Sequence, residues 1–379
     1  MGATSTVRDS FVWEGYRYDI YNTQIDHPDY DTLLQAWRIP LNNGRRSRVI
    51  LKRLPMSANR EQRERAWEEL QLAQHLNHPG IARVDGVIIR DGASYVVMES
   101  IHGLYLLTVM DFVLLLKGKL SPAFAAYVAA EVADALDYAH QAKDNGGNAL
   151  HVIHRAVSPA RIRLGFDGRV KLTNFGAAYS DLRGRKPSPE GLLRGDPAYC
   201  APEVLRAVME RRSPHPDPLI SGVIDGRADV FSLGLILLEM LVAEYPLDLT
   251  SKPETKAPKG FARRIKSERP SWIDLDGLAF RLLRFDPLET ERLMGDIAAP
   301  LREVAHKALQ PDPSHRCSAG EMRDSLRAYL KTLPRSFDKY SLEEEVIRIH
   351  GEACLANAME GTPLELTALV LDARKRSGQ

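Results

Sequence analysis

The chain has 379 residues, of which 44% are hydrophobic and 27% charged, as is ordinary for a globular protein. Its formal net charge of +1 gives no general attraction to nucleic acid or to an acidic membrane surface. The three cysteines fit neither a metal-binding spacing nor a secreted disulfide framework, so a reducing cytoplasm is expected: Cys200, Cys317 and Cys354.

The first fifteen residues lack the apolar core of a signal peptide and are expected to form an N-terminal extension. The opening letters MGATST match a myristoylation pattern at Gly2, but so short a match often arises by chance. Acylation of Gly2 therefore stays open.

Residues 16 to 100 favour strands. Alternating β-branched and aromatic residues predict strands at 16–25, 32–39, 48–54, 81–89 and 94–99, with turns at Asn43-Gly44 and Asp91-Gly92. One helix is predicted over 58–76, where Trp67, Leu70 and Leu76 share a face.

After residue 100 the pattern is mostly helical. Ser121 before Pro122 predicts a helix start, and Ser318 with Glu321 predicts a capping box. The apolar run 230–242 is too short to span a bilayer and favours a buried helix. Longer inserted loops are expected near 205–228 and 249–300.

The tail from residue 336 is expected to be helical. Ser341 and Glu344 predict one helix that Gly351 stops, and Thr362-Pro363 predicts a second. Its apolar side chains need a cover, which is either the preceding domain or a partner.

The stretch 151–178, HVIHRAVSPARIRLGFDGRVKLTNFGAA, resembles the catalytic core of Ser/Thr protein kinases, in its bacterial form above all. Further matches occur in the expected order at Lys52, Glu69, Met98-Glu99-Ser100, the segment 195–203 (GDPAYCAPE), the segment 229–234 (DVFSLG) and Arg316. The resemblance implies an α+β fold with two lobes. A small lobe at 16–100 would carry an antiparallel sheet and one helix, and a larger helical lobe would cover 101–335.

Three positions depart from the chemistry that this resemblance implies. Ala156 replaces the aspartate base, Arg161 the metal-binding asparagine, and Asn174 the metal-binding aspartate. An alanine accepts no proton, and a cation repels magnesium. No metal site and no catalytic residue are therefore expected.

The nucleotide site is also expected to be lost. Asp26, Pro28 and Asp31 stand at the glycine positions of the phosphate loop, and two aspartates would repel phosphates. Ile50 and Arg163 replace smaller or apolar residues around the adenine slot and are expected to block it. An aspartate from residues 26 to 31 is expected to pair with Arg161 or Arg163. Strong ATP or magnesium binding, and any cofactor, are not expected.

Other positions implied by the resemblance would still support the fold. Lys52 and Glu69 are remnants of the nucleotide site that can form an ion pair, and Glu203 can pair with Arg316 in the large lobe. His154 and Phe175 are expected to be packing residues.

From the sequence we expect an inactive kinase homologue, a pseudokinase that is not an enzyme. It would serve as a cytoplasmic scaffold or regulator for a protein partner, such as an active kinase. Two alternatives stay open: an unconventional transferase that uses ATP, and a sensor of an anionic small molecule in a cleft lined by Lys52, Arg161 and Arg163. No nucleic-acid partner and no membrane span are expected.

Overall fold

The structure is a computed structural model, and it describes residues 7–25, 33–53, 60–182, 195–212, 224–243 and 293–359. A first part rich in antiparallel strands is followed by a second part built mainly from helices. The expected α+β fold with two lobes is therefore confirmed.

The small lobe carries one antiparallel sheet of six strands in the order β1-β2-β3-β4-β6-β5. The strands are β1 (Asp9–Trp13), β2 (Tyr16–Ile25), β3 (Leu33–Pro40), β4 (Ser47–Arg53), β5 (Val84–Arg90) and β6 (Ala93–Glu99). The alternation of their apolar residues places one set of side chains in a shared core: Tyr18, Ile20, Ala36, Val49, Leu51, Ile88 and Val97.

The two edge strands of this sheet are joined by side chains. Arg90 on β5 pairs with Asp9 on β1 at 2.6 Å, and its guanidinium lies 4.6 Å from the ring centre of Phe11. Strand β1 was not predicted, and it falls inside the expected N-terminal extension. These contacts link the first strand to the opposite edge, so the sheet curves around its own core.

Helix α1 (Arg60–Ala73) is shorter than the predicted range. Leu70 and Leu76 are buried as expected, but Trp67 is 60% exposed, so its predicted inward position is wrong. Leu72 is buried instead at 4% exposure. The face of α1 that packs on the core therefore includes Leu72 and not Trp67, and it differs from the face predicted by three-residue spacing.

The large lobe surrounds a single apolar core. Its helices are α2 (Leu106–Leu115), α3 (Pro122–His140), α4 (Pro202–Arg212), α5 (Arg227–Val242), α6 (Ala299–Ala308) and α7 (Ala319–Lys331). The predicted cap of α3 and capping box of α7 are both formed. Helix α5 is buried from Ala228 to Leu241, because its apolar residues surround the helix on all sides.

A small antiparallel sheet lies at the junction of the lobes. Its strands are β7 (Gly103–Tyr105), β8 (Ile162–Gly165) and β9 (Val170–Leu172), and β8 and β9 form the predicted hairpin around Asp167-Gly168. Gly168 has a φ of +71°, which a glycine adopts without strain.

The tail forms one helix, α8 (Lys339–Met359), that continues through Gly351, so the predicted stop there is wrong. An isolated glycine weakens a helix by only about 1 kcal/mol, and packing of the helix on the large lobe outweighs that cost. Leu342, Val346 and Ile349 are buried in the large-lobe core. The second predicted tail helix and most of the expected loops lie outside the described residues.

Candidate functional site

The loop at 154–161 is held by one buried carboxylate. Asp229 at the start of α5 accepts hydrogen bonds from the backbone N–H groups of His154 at 2.7 Å and Arg155 at 2.8 Å. The side chain of His140 contacts it at 3.0 Å. Burial alone would raise the pKa of Asp229, but the contacts with His140 and His154 outweigh it and lower the pKa. Asp229 therefore stays charged and fixes the loop.

The ring of His154 is a packing element, as predicted. It meets the ring of Phe175 edge-on with centres 4.6 Å apart, and its Nε2 lies 3.2 Å from the carbonyl oxygen of Thr173. Burial lowers the pKa of His154 to about 4, so the ring is neutral at neutral pH.

Backbone hydrogen bonds place two of the three substituted positions, Arg161 and Asn174, close together. The carbonyl oxygen of Arg161 accepts hydrogen bonds from Thr173 N and Oγ1, at 2.9 and 3.0 Å, directly before Asn174. Asn174 has a left-handed backbone, and its side-chain oxygen accepts a hydrogen bond from Gly176 N at 3.4 Å. This position thus offers one neutral amide oxygen that already has a donor.

Ala156 is buried at 5% exposure beneath Gly195. A Cβ atom on Gly195 would lie 2.8 Å from Ala156 Cα and 2.4 Å from the carbonyl oxygen of Arg155, so the two segments pack with no intervening side chain. The next residue, Asp196, accepts a hydrogen bond from Ala198 N and caps a short turn. Position 156 itself therefore provides no proton acceptor.

Arg163 on β8 binds the chain segment that follows β6. Its Nη2 donates to the carbonyl oxygens of Ile101 at 2.5 Å and Gly103 at 2.9 Å, and the guanidinium lies 4.4 Å from the ring centre of Tyr105. Burial lowers its pKa. The expected partners among Asp26, Asp29 and Asp31 lie outside the described residues.

Lys171 on β9, the cross-strand partner of Arg163, holds the same segment. Its Nζ donates to the carboxylate of Glu99 at 2.8 Å and lies 3.4 Å from the carbonyl oxygen of Ile81. Sequence reasoning missed this pair, although a lysine between the apolar residues Val170 and Leu172 is the kind of residue that needs a buried partner. Residues 99 to 103, which we name the hinge segment, are therefore fixed by two cations of the large lobe.

The expected pair of Lys52 and Glu69 is not among the ion pairs of the described residues. Lys52 lies on β4, and Glu69 is buried on α1 at 8% exposure. A Cβ atom on Gly176 would lie 2.7 Å from the carboxylate of Glu69. The helix is thus packed against the turn that follows Asn174. Ile50 is half-buried on β4 opposite Met98, and its predicted blocking role stays a prediction.

The predicted pair of Glu203 and Arg316 is present. The guanidinium nitrogens of Arg316 contact both carboxylate oxygens of Glu203, at 2.6 and 2.8 Å, and the Arg316 side chain has no exposed surface. Further bonds reach the backbone carbonyl oxygens of Arg227, Gln310 and Pro311. This pair fixes the start of α4 to the loop that precedes α7.

The site does not have the donors that magnesium prefers. Hard oxygen ligands such as carboxylates are needed, whereas positions 156, 161 and 174 carry a methyl group, a guanidinium and an amide. Within the described ranges no cluster of three or more His, Cys, Asp or Glu side chains could hold a metal ion. In the same ranges, no helix has the length and apolar character to cross a membrane.

A family model described as protein kinase domain matches residues 40–326. The chain is 27% identical over 256 residues to Tyrosine-protein kinase MasK of Myxococcus xanthus, covering 65% of this chain and 36% of that protein. It is 28% identical over 264 residues to Serine/threonine-protein kinase PknB of Mycolicibacterium smegmatis, covering 68% and 34%. Against Aurora kinase of Eremothecium gossypii it is 28% identical over 243 residues, covering 62% and 54%.

These matches correct one expectation from the sequence. The substitutions at Ala156, Arg161 and Asn174 led us to expect that the chain is not an enzyme. The matching family is that of protein kinases, and the relatives are named as Ser/Thr and Tyr kinases. The comparisons therefore point to a kinase, and the expectation of a non-enzyme is wrong.

Proposed function

The chain belongs to the protein kinase family, and we propose that it acts as a regulator that binds a protein partner, with phosphoryl transfer much weaker than in its named relatives. The observation that carries this proposal is the fixed hinge segment, together with the missing carboxylate at Ala156. The proposal keeps the expected division into a small lobe to residue 100, a large lobe to 335 and a tail.

The hinge segment supports a fixed arrangement of the lobes. Glu99 is tied to Lys171, and the carbonyl oxygens of Ile101 and Gly103 are tied to Arg163. Charge-assisted hydrogen bonds of this kind are about twice as strong as neutral ones. They form within the chain and need no nucleotide. A two-lobed protein held in this way presents a constant surface, which suits the binding of a partner.

Arg163 also supports the expectation that this protein binds nucleotide weakly. If the resemblance carries over, Arg163 stands at the floor of the adenine slot, and a buried guanidinium is a poor surface for a planar apolar ring. Because its Nη2 donates to the carbonyl oxygens of Ile101 and Gly103, Arg163 also gives little support to an anion sensor in the same cleft. The sensor and the unconventional transferase are therefore not favoured over the regulator.

Arg163→Leu tests the proposal through nucleotide binding. We expect ATP with magnesium to raise the melting temperature of the parent protein very little and that of the variant clearly, since the guanidinium is gone. Arg169→Leu is the matched control, because Arg169 lies on the same hairpin, is 59% exposed and pairs with Asp167. A large shift in the parent that Arg163→Leu leaves unchanged would contradict the proposed role of the arginine.

Phosphoryl transfer is measured in parallel. A positioned general base contributes about 10²–10⁴-fold to a rate, so we expect phosphate incorporation by this chain to be at least about 100-fold slower than by the kinase domain of PknB from M. smegmatis under equal conditions. Ala156→Asp alone is expected to restore little, because the positions at Arg161 and Asn174 act together with the base. A parent rate equal to that of PknB would overturn the proposal.

A further inference from the structure

The hairpin of β3 and β4 carries exposed arginines that the candidate site does not use. The sequence has no acidic residue between Asp31 and Glu61, whereas the same stretch holds a series of cations: Arg38, Arg45, Arg46, Arg48, Lys52, Arg53 and Arg60. Three of them, Arg45, Arg46 and Arg48, are exposed at the turn end of the hairpin. We name these three side chains, together with Trp37 and Tyr21 beside them, the arginine patch.

The acids around the arginine patch leave it with an excess of positive charge. Asp19, which lies across from the patch on β2, pairs with Arg17 at 3.1 Å. Glu99 on β6 pairs with Lys171 at 2.8 Å. Glu14, exposed in the turn between β1 and β2, balances at most one of the three arginines. Among the described residues none of the three arginines forms an ion pair, so two positive charges are left over.

The ring of Trp37 holds two of these cations close together. The guanidinium carbon of Arg46 lies 4.2 Å from the ring centre, and that of Arg48, the cross-strand partner of Trp37, lies 5.1 Å from it. Tyr21 flanks the same indole, with ring centres 6.1 Å apart. The attraction of a cation to an aromatic ring thus offsets the repulsion between the two like charges. A guanidinium group in such a contact still presents N–H groups for a bidentate acceptor.

The turn that carries the arginines is fixed by its surroundings. The backbone N–H of Leu41 donates to the carbonyl oxygen of Gly15 at 2.9 Å. A Cβ atom on Gly44 would lie 2.8 Å from Pro40 Cγ, so the turn packs closely on the end of β3. The cations are therefore held near their positions before a partner arrives, and less conformational freedom is lost on binding.

This arrangement favours carboxylates over the bases of a nucleic acid. Two guanidinium groups already contact the ring of Trp37, and a base would have to displace one of them to stack there. A carboxylate needs no stacking and accepts two hydrogen bonds from one guanidinium group. Side chains at alternate positions of an extended peptide point to the same side and are about 7 Å apart. A run of acidic residues can therefore reach both guanidinium groups at once.

From these observations we propose that the arginine patch binds an acidic segment of a protein partner. Two carboxylates of an extended run of glutamates or aspartates pair with Arg46 and Arg48. This inference rests on the proposed function as a regulator, and it names the chemistry by which the partner is recognised. A neutral segment of the same length offers no charge to the two guanidinium groups and does not bind.

The test titrates the full chain into a fluorescein-labelled hexaglutamate peptide at about 50 mM salt, where exposed charges are weakly screened. Fluorescence anisotropy measures the binding, and a hexaglutamine peptide with the same label is the neutral control. We expect saturable binding of hexaglutamate that weakens as the salt concentration rises, and no binding of hexaglutamine. Unlabelled hexathymidylate should compete less well than unlabelled hexaglutamate.

Variants then locate the binding. Arg46→Gln combined with Arg48→Gln should weaken hexaglutamate binding at least about fivefold, the effect of losing two exposed ion pairs. Arg46→Lys combined with Arg48→Lys keeps the charge but loses the planar guanidinium groups, and should weaken binding about twofold or more. Lys117→Gln combined with Lys119→Gln is the matched control, because it removes two exposed cations that are also two positions apart. This control should bind hexaglutamate as the parent does.

Four results would each overturn the proposal. They are the absence of saturable hexaglutamate binding in the parent, equal binding of hexaglutamine, undiminished binding by the variant with two lysines at 46 and 48, and an equal loss of affinity in the control at 117 and 119. Stronger competition by hexathymidylate would assign the patch to a nucleic acid instead. The titration contains no nucleotide, so its failure would leave the nucleotide-binding and phosphate-transfer tests of the proposed function unaffected.

Discussion

The guanidinium of Arg316 in the large lobe uses all of its five N–H donors on Glu203 and three backbone carbonyl oxygens, whereas Arg38 in the small lobe keeps a buried Nε without an acceptor. Both arginines pair with a carboxylate at close range. The difference lies in the remaining donors: backbone carbonyl oxygens satisfy those of Arg316, whereas the Nε of Arg38 has no acceptor among the described residues.

Asp229 is a second charged group of the large lobe with partners within the chain for both of its carboxylate oxygens. Its two carboxylate oxygens accept hydrogen bonds from the backbone N–H groups of His154 and Arg155, and one of them also contacts the ring of His140. The charge of Asp229 is therefore compensated within the chain. A charged group that has all of its partners within the fold stabilises the structure, whereas a buried donor that lacks an acceptor lowers stability by its desolvation cost. We name Asp229, Arg316 and the groups they contact the large-lobe frame.

Removing Arg316 is expected to give the largest effect on this frame. Arg316→Ala strands the carboxylate of Glu203 and three carbonyl groups, and loss of one partner of a buried ion pair costs about 3–5 kcal/mol of unfolding free energy. Arg327→Ala is the control, because the Arg327 side chain is 41% exposed and pairs with Glu131 and Asp134 near the surface. Denaturant unfolding measures both, and an equal loss in the two variants would show that the frame has no special weight.

The pH dependence of stability gives the next largest effect. His154 has a folded pKa of about 4, below the ordinary value of 6.5, so the unfolded chain binds a proton first as the pH falls. Its contribution to stability is complete above pH 6.5 and is lost as the pH falls toward 4. The difference of about 2.5 pKa units corresponds to about 3 kcal/mol.

His154→Phe removes this titration and should flatten the stability curve between pH 6.5 and 4 relative to the parent. His151→Gln serves as control, since His151 is 68% exposed and pairs with Asp181 near the surface. Unfolding curves at several pH values measure the slope. Parallel slopes in the parent and in His154→Phe would mean that His154 is accessible to protons in the folded state.

The large-lobe frame was largely predictable from the sequence, whereas the contact between the two edge strands of the small-lobe sheet was not. Glu203, Arg316, Asp229 and His154 stand in local patterns that the family resemblance identifies one by one. This closure depends on the pair of Asp9 on β1 with Arg90 on β5, which joins residues 81 positions apart in the chain. No local pattern encodes such a pairing.

Short-range patterns also failed where packing decides. The three-residue steps of α1 put Trp67 on the inner face, yet Trp67 is exposed because the helix presents Leu72 to the core. Arg163 was expected to block the adenine slot and to pair with an aspartate from residues 26 to 31. Its contacts with Ile101 and Gly103 depend on the pairing of β7 with β8, which the sequence did not indicate.

The attachment of the tail helix predicts a smaller effect in the large lobe. Ser121 caps α3 by accepting a hydrogen bond from Phe124 N, and it also contacts the carboxylate of Glu345 on α8 at 3.1 Å. Ser121→Ala should lower the unfolding free energy by about 1–2 kcal/mol, the upper part of the range for a lost cap. Ser318→Ala, which removes the exposed cap of α7, should cost about 0.5–1 kcal/mol. Thermal unfolding that gives equal losses would show that α8 adds nothing at Ser121.

The smallest expected effect concerns the pair that joins the edges of the small-lobe sheet. Arg90 and Asp9 are 29% and 45% exposed, so their interaction is expected to contribute only about 0.2–1 kcal/mol. Because salt screens exposed pairs, this contribution should fall further at about 1 M ionic strength. A double-mutant cycle of Asp9→Ala and Arg90→Ala isolates it, and the pair of Arg17 and Asp19, which lies within β2, provides the control cycle.

A coupling energy of Asp9 and Arg90 well above that of Arg17 and Asp19 would indicate that closing the sheet adds stability beyond the ion pair itself. A value within the range of ordinary surface pairs would instead mean that the core around Tyr18 and Ile88 holds β1 in place. In that case Arg90→Ala should unfold at nearly the same denaturant concentration as the parent. Unfolding of Arg90→Ala at a clearly lower denaturant concentration would instead show that a single exposed pair keeps β1 at the edge of the sheet.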